Sequence, residues 1–171
     1  MRMLLLTVAA LAACALGAVL IGARQQVYAR LARLGGNDRD MGPIDFATLR
    51  RRSSPNDALV CPSDRCPFAR PDHEAKIYDM PPAELSARVT QVALAEPDTH
   101  ALPCDPPCRL LRYVQYSRLM RFPDTIDVEV LPAGDGRSTI AIYSRSLVGY
   151  GDFGVNRARI ERWLAALDKA P

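Results

Sequence analysis

Six polar side chains within residues 145–157 have the types to build a binding site: Arg145, Ser146, Tyr150, Asp152, Asn156 and Arg157. Glycines at 149, 151 and 154 run between them and open backbone conformations closed to other residues. A polar strand end, a glycine-rich turn and an amphipathic helix follow one another here. The N-terminus of a helix offers unpaired N–H groups and a partial positive charge. A small anionic or polar ligand would therefore suit the junction, with Arg145, Tyr150 and Arg157 completing the site. The same residues also suit a structural task. Asp152 is placed to cap the helix, the glycines to form the turn, and Asn156 and the arginines to tie the loop to a sheet. Asp-Phe-Gly at 152–154 matches the magnesium motif of protein kinases, but no glycine-rich phosphate loop, strand lysine or catalytic loop accompanies it.

Four cysteines form two close pairs, Cys61/Cys66 and Cys104/Cys108. Each pair can close a short loop as a disulfide and brace a proline-rich stretch that has little core of its own. A zinc site would draw on all four, with His73 or His100, although such sites favour the tighter Cys-x2-Cys spacing. Free thiols are the third alternative. A Cys-x-x-Cys motif for thiol exchange is missing. So are the Gly-x-Ser-x-Gly elbow, His-Glu-x-x-His and the phosphate loop. His73 lies between Asp72 and Glu74, and His100 lies in a loop rich in Pro and Asp; both read as solvated. Asp124 and Asp127 have the types for acid–base work, but a strand end and an exposed strand face explain them more simply. No cofactor and no metal is called for.

The elements that must position these residues follow from periodicity. Pro82 opens a helix with Glu84 in its first turn, and Leu85, Val89 and Val92 make one apolar stripe. Pro97 ends it. Strands are expected over 110–118, 125–131 and 138–148. In the second, Ile126, Val128 and Val130 face one way and Asp127 and Glu129 the other. Ala133-Gly-Asp-Gly136 is a hairpin turn. A last helix from Phe153 to Lys169 carries Ile160, Trp163, Leu164 and Leu167 on one side. The order predicts an α+β fold: three or more antiparallel strands with helices packed on one face.

Ahead of this domain, Met3 to Ala23 is 21 residues without a charge. That is enough for a membrane-spanning helix, at roughly 20 residues per crossing. The chain thus divides into an anchor (1–23), a basic juxtamembrane segment and tether (24–54) and a domain (55–171). A poor small-x-small site at Ile21/Ala23 argues against cleavage. Leu11-Ala-Ala-Cys14 resembles a lipoprotein box, but the residues after Cys14 stay apolar. Two stripes of small residues, Ala9/Ala13/Gly17 and Ala10/Cys14/Ala18/Gly22, would let a second transmembrane helix approach closely. Residues 1–52 hold eight arginines against three aspartates, or +5, which leaves −2 for the rest of a chain whose net charge is +3. The domain therefore lacks the basic footprint of a nucleic-acid binder, and the arginines suit anionic headgroups. Positive-inside counting places the arginine-rich flank in the cytoplasm, whereas paired cysteines suit an oxidising compartment. The cysteines favour the periplasmic side.

Gly149-Tyr-Gly-Asp-Phe-Gly-Val-Asn-Arg157, with Arg159-Ile-Glu161, resembles the signature of the bacterial and plastid family catalogued as domain of unknown function 1499. Pro55-Asn56 and the Ser117–Asp124 stretch are similar to two further parts of that family. The resemblance implies an envelope- or membrane-associated domain, here on the bacterial inner membrane, and implies no activity. The family usually carries Ser-Arg directly before the turn; here the pair is Ser146-Leu147, and Arg145, on the same strand face, is the candidate substitute. The expectation is a single-pass, membrane-anchored periplasmic accessory domain that binds a membrane partner or envelope component through 144–159. The alternatives are an envelope hydrolase or transferase using Arg145, Asp152, Asn156 and Arg157 on an anionic substrate, and a cytoplasmic-facing zinc or scaffold domain.

Overall fold

The computed structural model describes residues 40–104, 108–118 and 121–169, with Gly17, Val19 and Gly22 as isolated helical positions. Apart from those three, the expected anchor and the segment that follows it to residue 39 lie outside the described residues. Among the described residues, no helix is long and apolar enough to cross a membrane. The chain divides into two units, residues 1–38 with 119–121, and residues 39–118 with 122–171. The second carries the fold.

Among the described residues, six strands make one antiparallel sheet: β1 (Asp57–Val60), β2 (Ile77–Tyr78), β3 (Thr99–Ala101), β4 (Leu110–Tyr116), β5 (Pro123–Pro132) and β6 (Ser138–Ser146). Their order is β1-β6-β5-β4-β3, and β2 shares the outer edge of β6 with β1. The β5–β6 hairpin closes where expected. Gly134, Asp135 and Gly136 take φ of 75°, 48° and 72°, and Arg137 N donates to Gly134 O at 2.8 Å. Three successive left-handed residues need glycine or a short polar side chain, which is what the sequence supplies there.

Helices α1 (Pro82–Ala95) and α2 (Val155–Lys169) cover one face. Leu85, Val89 and Ala93 of α1 and Ile160, Trp163 and Leu167 of α2 meet Ile126, Val128, Ile140 and Ile142 from the sheet. Trp163 packs edge-on against Tyr113 at 5.7 Å. Each large apolar side chain enclosed this way contributes about 1.5–3 kcal/mol. The helix α2 begins two residues later than expected, because Phe153 and Gly154 take φ of 55° and 77°, outside helical space.

The other face is covered as well. Ahead of residue 55, where the domain is expected to begin, Phe46 and Leu49 are buried against Leu59, Ala141 and Tyr143. The loop closed by the Cys61–Cys66 disulfide completes this second core, with Cα atoms 6.3 Å apart and both cysteines buried. Cys104 and Cys108 form the other disulfide. Strands β1, β2 and β3 lie outside the three strands expected from the sequence. They are short, and β1 owes its form to pairing with β6, more than 80 residues away (Asp57 opposite Arg145).

Candidate functional site

The strand end, turn and helix start of the 144–159 segment are bound into one buried polar network. Alternation on β6 turns Ser144 and Ser146 toward the helices. Asn156, fully buried in the first turn of α2, accepts from Ser144 Oγ at 2.6 Å. Its amide donates to Ser146 Oγ, to Asn56 O and to Asp152 Oδ2 at 2.9, 3.1 and 2.7 Å. Asp152 also accepts from the backbone N–H groups of Gly154 and Asn156, at 2.9 Å each, and so caps the helix. Asn56 donates to Gly149 O at 2.8 Å and pins the turn from the start of the domain. One turn further on, Arg159 is 1 % exposed. It pairs with Asp124 at 2.6 Å, donates to Ser144 Oγ and Asn156 Oδ1, and reaches Gln115. Gln115 in turn donates to Thr99 Oγ1 at 2.8 Å, which joins β3 to the network. These groups are spent on one another, as buried polar groups must be to offset their desolvation.

Arg145 belongs to the opposite face of the sheet. It donates to Gly42 O at 2.6 Å and to Asp127 at 3.2 Å, while Arg112 holds the other oxygen of Asp127 at 2.9 Å and reaches Asp40. Asp127 is fully enclosed under residues 40–42. Burial pushes its carboxyl up, and the hydrogen bond from Arg112 and the charge of Arg145 oppose the rise. Asp124 and Asp127 thus lie on opposite faces and both are buried, which corrects the reading of a solvated strand end and an exposed strand face. They cannot act as a pair.

A different group of side chains does converge at the surface. Arg50, Arg51, Arg70 and Arg157 line an open cleft of about 720 Å³ with Phe68 and a single carboxylate, Asp72. Arg51 is wedged into its wall. It meets Asp57 at 2.6 Å and Asp72 at 3.1 Å and donates to Arg70 O at 3.1 Å. Desolvation works to lower its pKa, but the hydrogen bonds to both carboxylates outweigh this and hold it raised, so it stays charged. Tyr143 donates to Asp57 at 2.5 Å, and its own phenol is pushed up, first by burial and then by that carboxylate. Asp72 accepts from Leu59 N at 2.8 Å. Arg157 is over half exposed and only 3.9 Å from Asp72. Arg50 stacks on Phe68 at 4.8 Å. Four guanidinium groups against Asp72 leave +3, or +2 if Asp57 beneath Arg51 is counted. Guanidinium forks in such a concave setting match phosphate and carboxylate groups.

A sequence profile described as "Protein of unknown function (DUF1499)" matches residues 44–167. The chain belongs to that family. No curated protein matches it. The DUF1499 match opens at Ile44, within the segment that covers the second face. Of the side chains expected to form a site in this DUF1499 domain, Ser146 and Asn156 are buried, Asp152 is a cap, Arg145 is on the far face, and Tyr150 projects into solvent. Arg157 alone lines the cleft. Arg145 therefore does not stand in for an arginine at 147 beside the turn. The other cleft arginines were missed because the run 50–52 reads as part of a tether, and Arg70 has no partner pattern in the sequence. The signals for Asn56 and Arg159 were their places in the DUF1499 resemblance. His73 and His100 are exposed, and the cysteines a zinc site would need are joined as disulfides.

Proposed function

We propose that this chain is a membrane-anchored accessory domain on the periplasmic side that holds an anionic group of an envelope component in the arginine cleft. The observation that carries the reading is the convergence of Arg50, Arg51, Arg70 and Arg157 on one concavity whose lining offers a single carboxylate. Asp72 is already committed to Leu59 N, Arg51 and Arg157, so the cleft is equipped for binding. Two disulfides suit an oxidising compartment, and the uncharged stretch 3–23 suits an anchor. The hydrolase alternative needed Arg145, Asp152, Asn156 and Arg157 on one site; Asp152 and Asn156 bond to each other in the helix cap, while Arg145 pairs with Asp127 on the opposite face.

Calorimetric titration of the full chain in a non-ionic detergent with inorganic pyrophosphate tests the cleft. Binding that weakens with salt is expected, and the Arg70→Ala/Arg157→Ala double variant should bind at least roughly tenfold more weakly, since hydrogen bonds to charged groups each carry about 1.5–3 kcal/mol. Equal affinity in the double variant, or no binding by the parent chain, refutes the reading.

A further inference from the structure

The turn 149–155 displays large apolar side chains for which the fold has no use. Tyr150 is 77 % exposed, Val155 is 45 % exposed, and the Phe153 ring stands wholly in solvent. Phe153 also has a left-handed backbone, a conformation in which a bulky residue is an outlier. This turn is not slack. Asp152 accepts from Gly154 N and Asn156 N, Val155 N donates to Asp152 O, and Asn56 donates to Gly149 O. The buried network thus holds the turn rigidly while the rings point away from it. Folding accounts for the bracing and leaves the rings without a task. Residues held in sparsely populated backbone conformations cluster at ligand clamps and switch regions.

Arg157, two residues beyond Val155, lines the arginine cleft, where Arg50 stacks on the half-exposed Phe68. Aromatic rings beside guanidinium groups are the composition of a membrane interface, with rings at headgroup depth and cations against anionic headgroups. We infer that this turn docks on an anionic lipid surface, with Tyr150 and Phe153 entering the interface and the cleft arginines meeting headgroup phosphates. The inference rests on the cleft reading for its charges and goes beyond it for the rings. Charge complementarity selects lipid as the occupant, and the uncharged segment 3–23 of the same chain would keep the surface near.

Trp163 is the sole tryptophan and is buried, so a Phe153→Trp variant reports on the turn above a constant background. The full chain is reconstituted in bilayers containing brominated phospholipid, with Leu94→Trp, half-exposed on α1, as the control. Quenching of Phe153→Trp at least twofold above the control is expected in bilayers rich in phosphatidylglycerol, with a clear fall in pure phosphatidylcholine. Quenching no greater than the control overturns lipid docking and leaves a protein partner for the rings; equal quenching in both lipids removes the role of the arginines. If pyrophosphate binding persists without quenching, docking fails and the cleft reading stands. Quenching without pyrophosphate binding refutes the cleft instead.

Discussion

Replacing Arg159 with alanine would leave the carboxylate of Asp124 charged and enclosed. Asp124 is 5 % exposed, and its guanidinium partner sits 2.6 Å away, while the same side chain serves Ser144, Asn156 and Gln115. Breaking a buried pair from one side costs about 3–5 kcal/mol, mostly through the stranded charge. In a domain of this size each kcal/mol moves the melting temperature by roughly 3–5 °C, so a fall of about 9–25 °C is expected. Urea unfolding without reductant, which keeps both disulfides, measures the free energy directly. Arg157→Ala is the internal comparison: it lies on the same helix, its own side chain is exposed and its partner Asp72 is 3.9 Å away, and its loss should stay within about 0.5 kcal/mol. Replacing Asp124 as well should recover part of the loss, with a coupling of about 2–3 kcal/mol. A loss under about 1 kcal/mol for Arg159→Ala, or an additive cycle, would show that the network is not what secures the junction.

Phe46→Ala tests the covered second face: with Phe46 1 % exposed, about 3–5 kcal/mol should be lost in the same urea assay, whereas a mere tether would lose none. The Arg162–Glu96 pair predicts a pH dependence. The hydrogen bond from Arg162 lowers the Glu96 carboxyl below its usual range, so the stabilisation is present above the unfolded value of about 4.3 and is lost as the pH falls through the folded pKa. The melting-temperature deficit of Arg162→Ala should accordingly be visible at neutral pH and vanish in acid; a deficit that persists in acid contradicts the assignment.

Residue types and spacing made the α+β class legible, together with the hairpin and both helices; the close cysteine pairs were visible, but disulfide, zinc site and free thiols stayed open. Local periodicity could do this because each feature is written within a dozen positions or so. Alternation on β5 correctly separated Ile126 and Val128 from Asp127, but period two does not say whether the second face meets water. It does not, because Phe46 and Leu49 lie across it, and their contact with Ala141 and Tyr143 is long-range. A similar limit hid the polar network. Asn156 and Arg159 fall on the buried side of α2 with Trp163 and Leu167, yet a stripe counted on apolar residues passes over them. The turn around Gly149 was read as a site or a brace, and its inner residues proved to be the brace. The arginine cleft had no signature to find: its walls come from residues 50–51, 68–72 and 157, which only the fold brings together.

The pairing of β1 with β6 has a temporal consequence. The hairpins among β4, β5 and β6 are local and can form early, but Asp57–Val60, bonded locally to Asp72 and bridged to His73, has no partner strand until residues 142–145 exist. At ordinary synthesis rates that interval is on the order of ten seconds. Throughout it the Phe46–Leu49 segment and the β1 edge stay uncovered, so newborn chains are most open to misassociation at the moment just before β6 arrives.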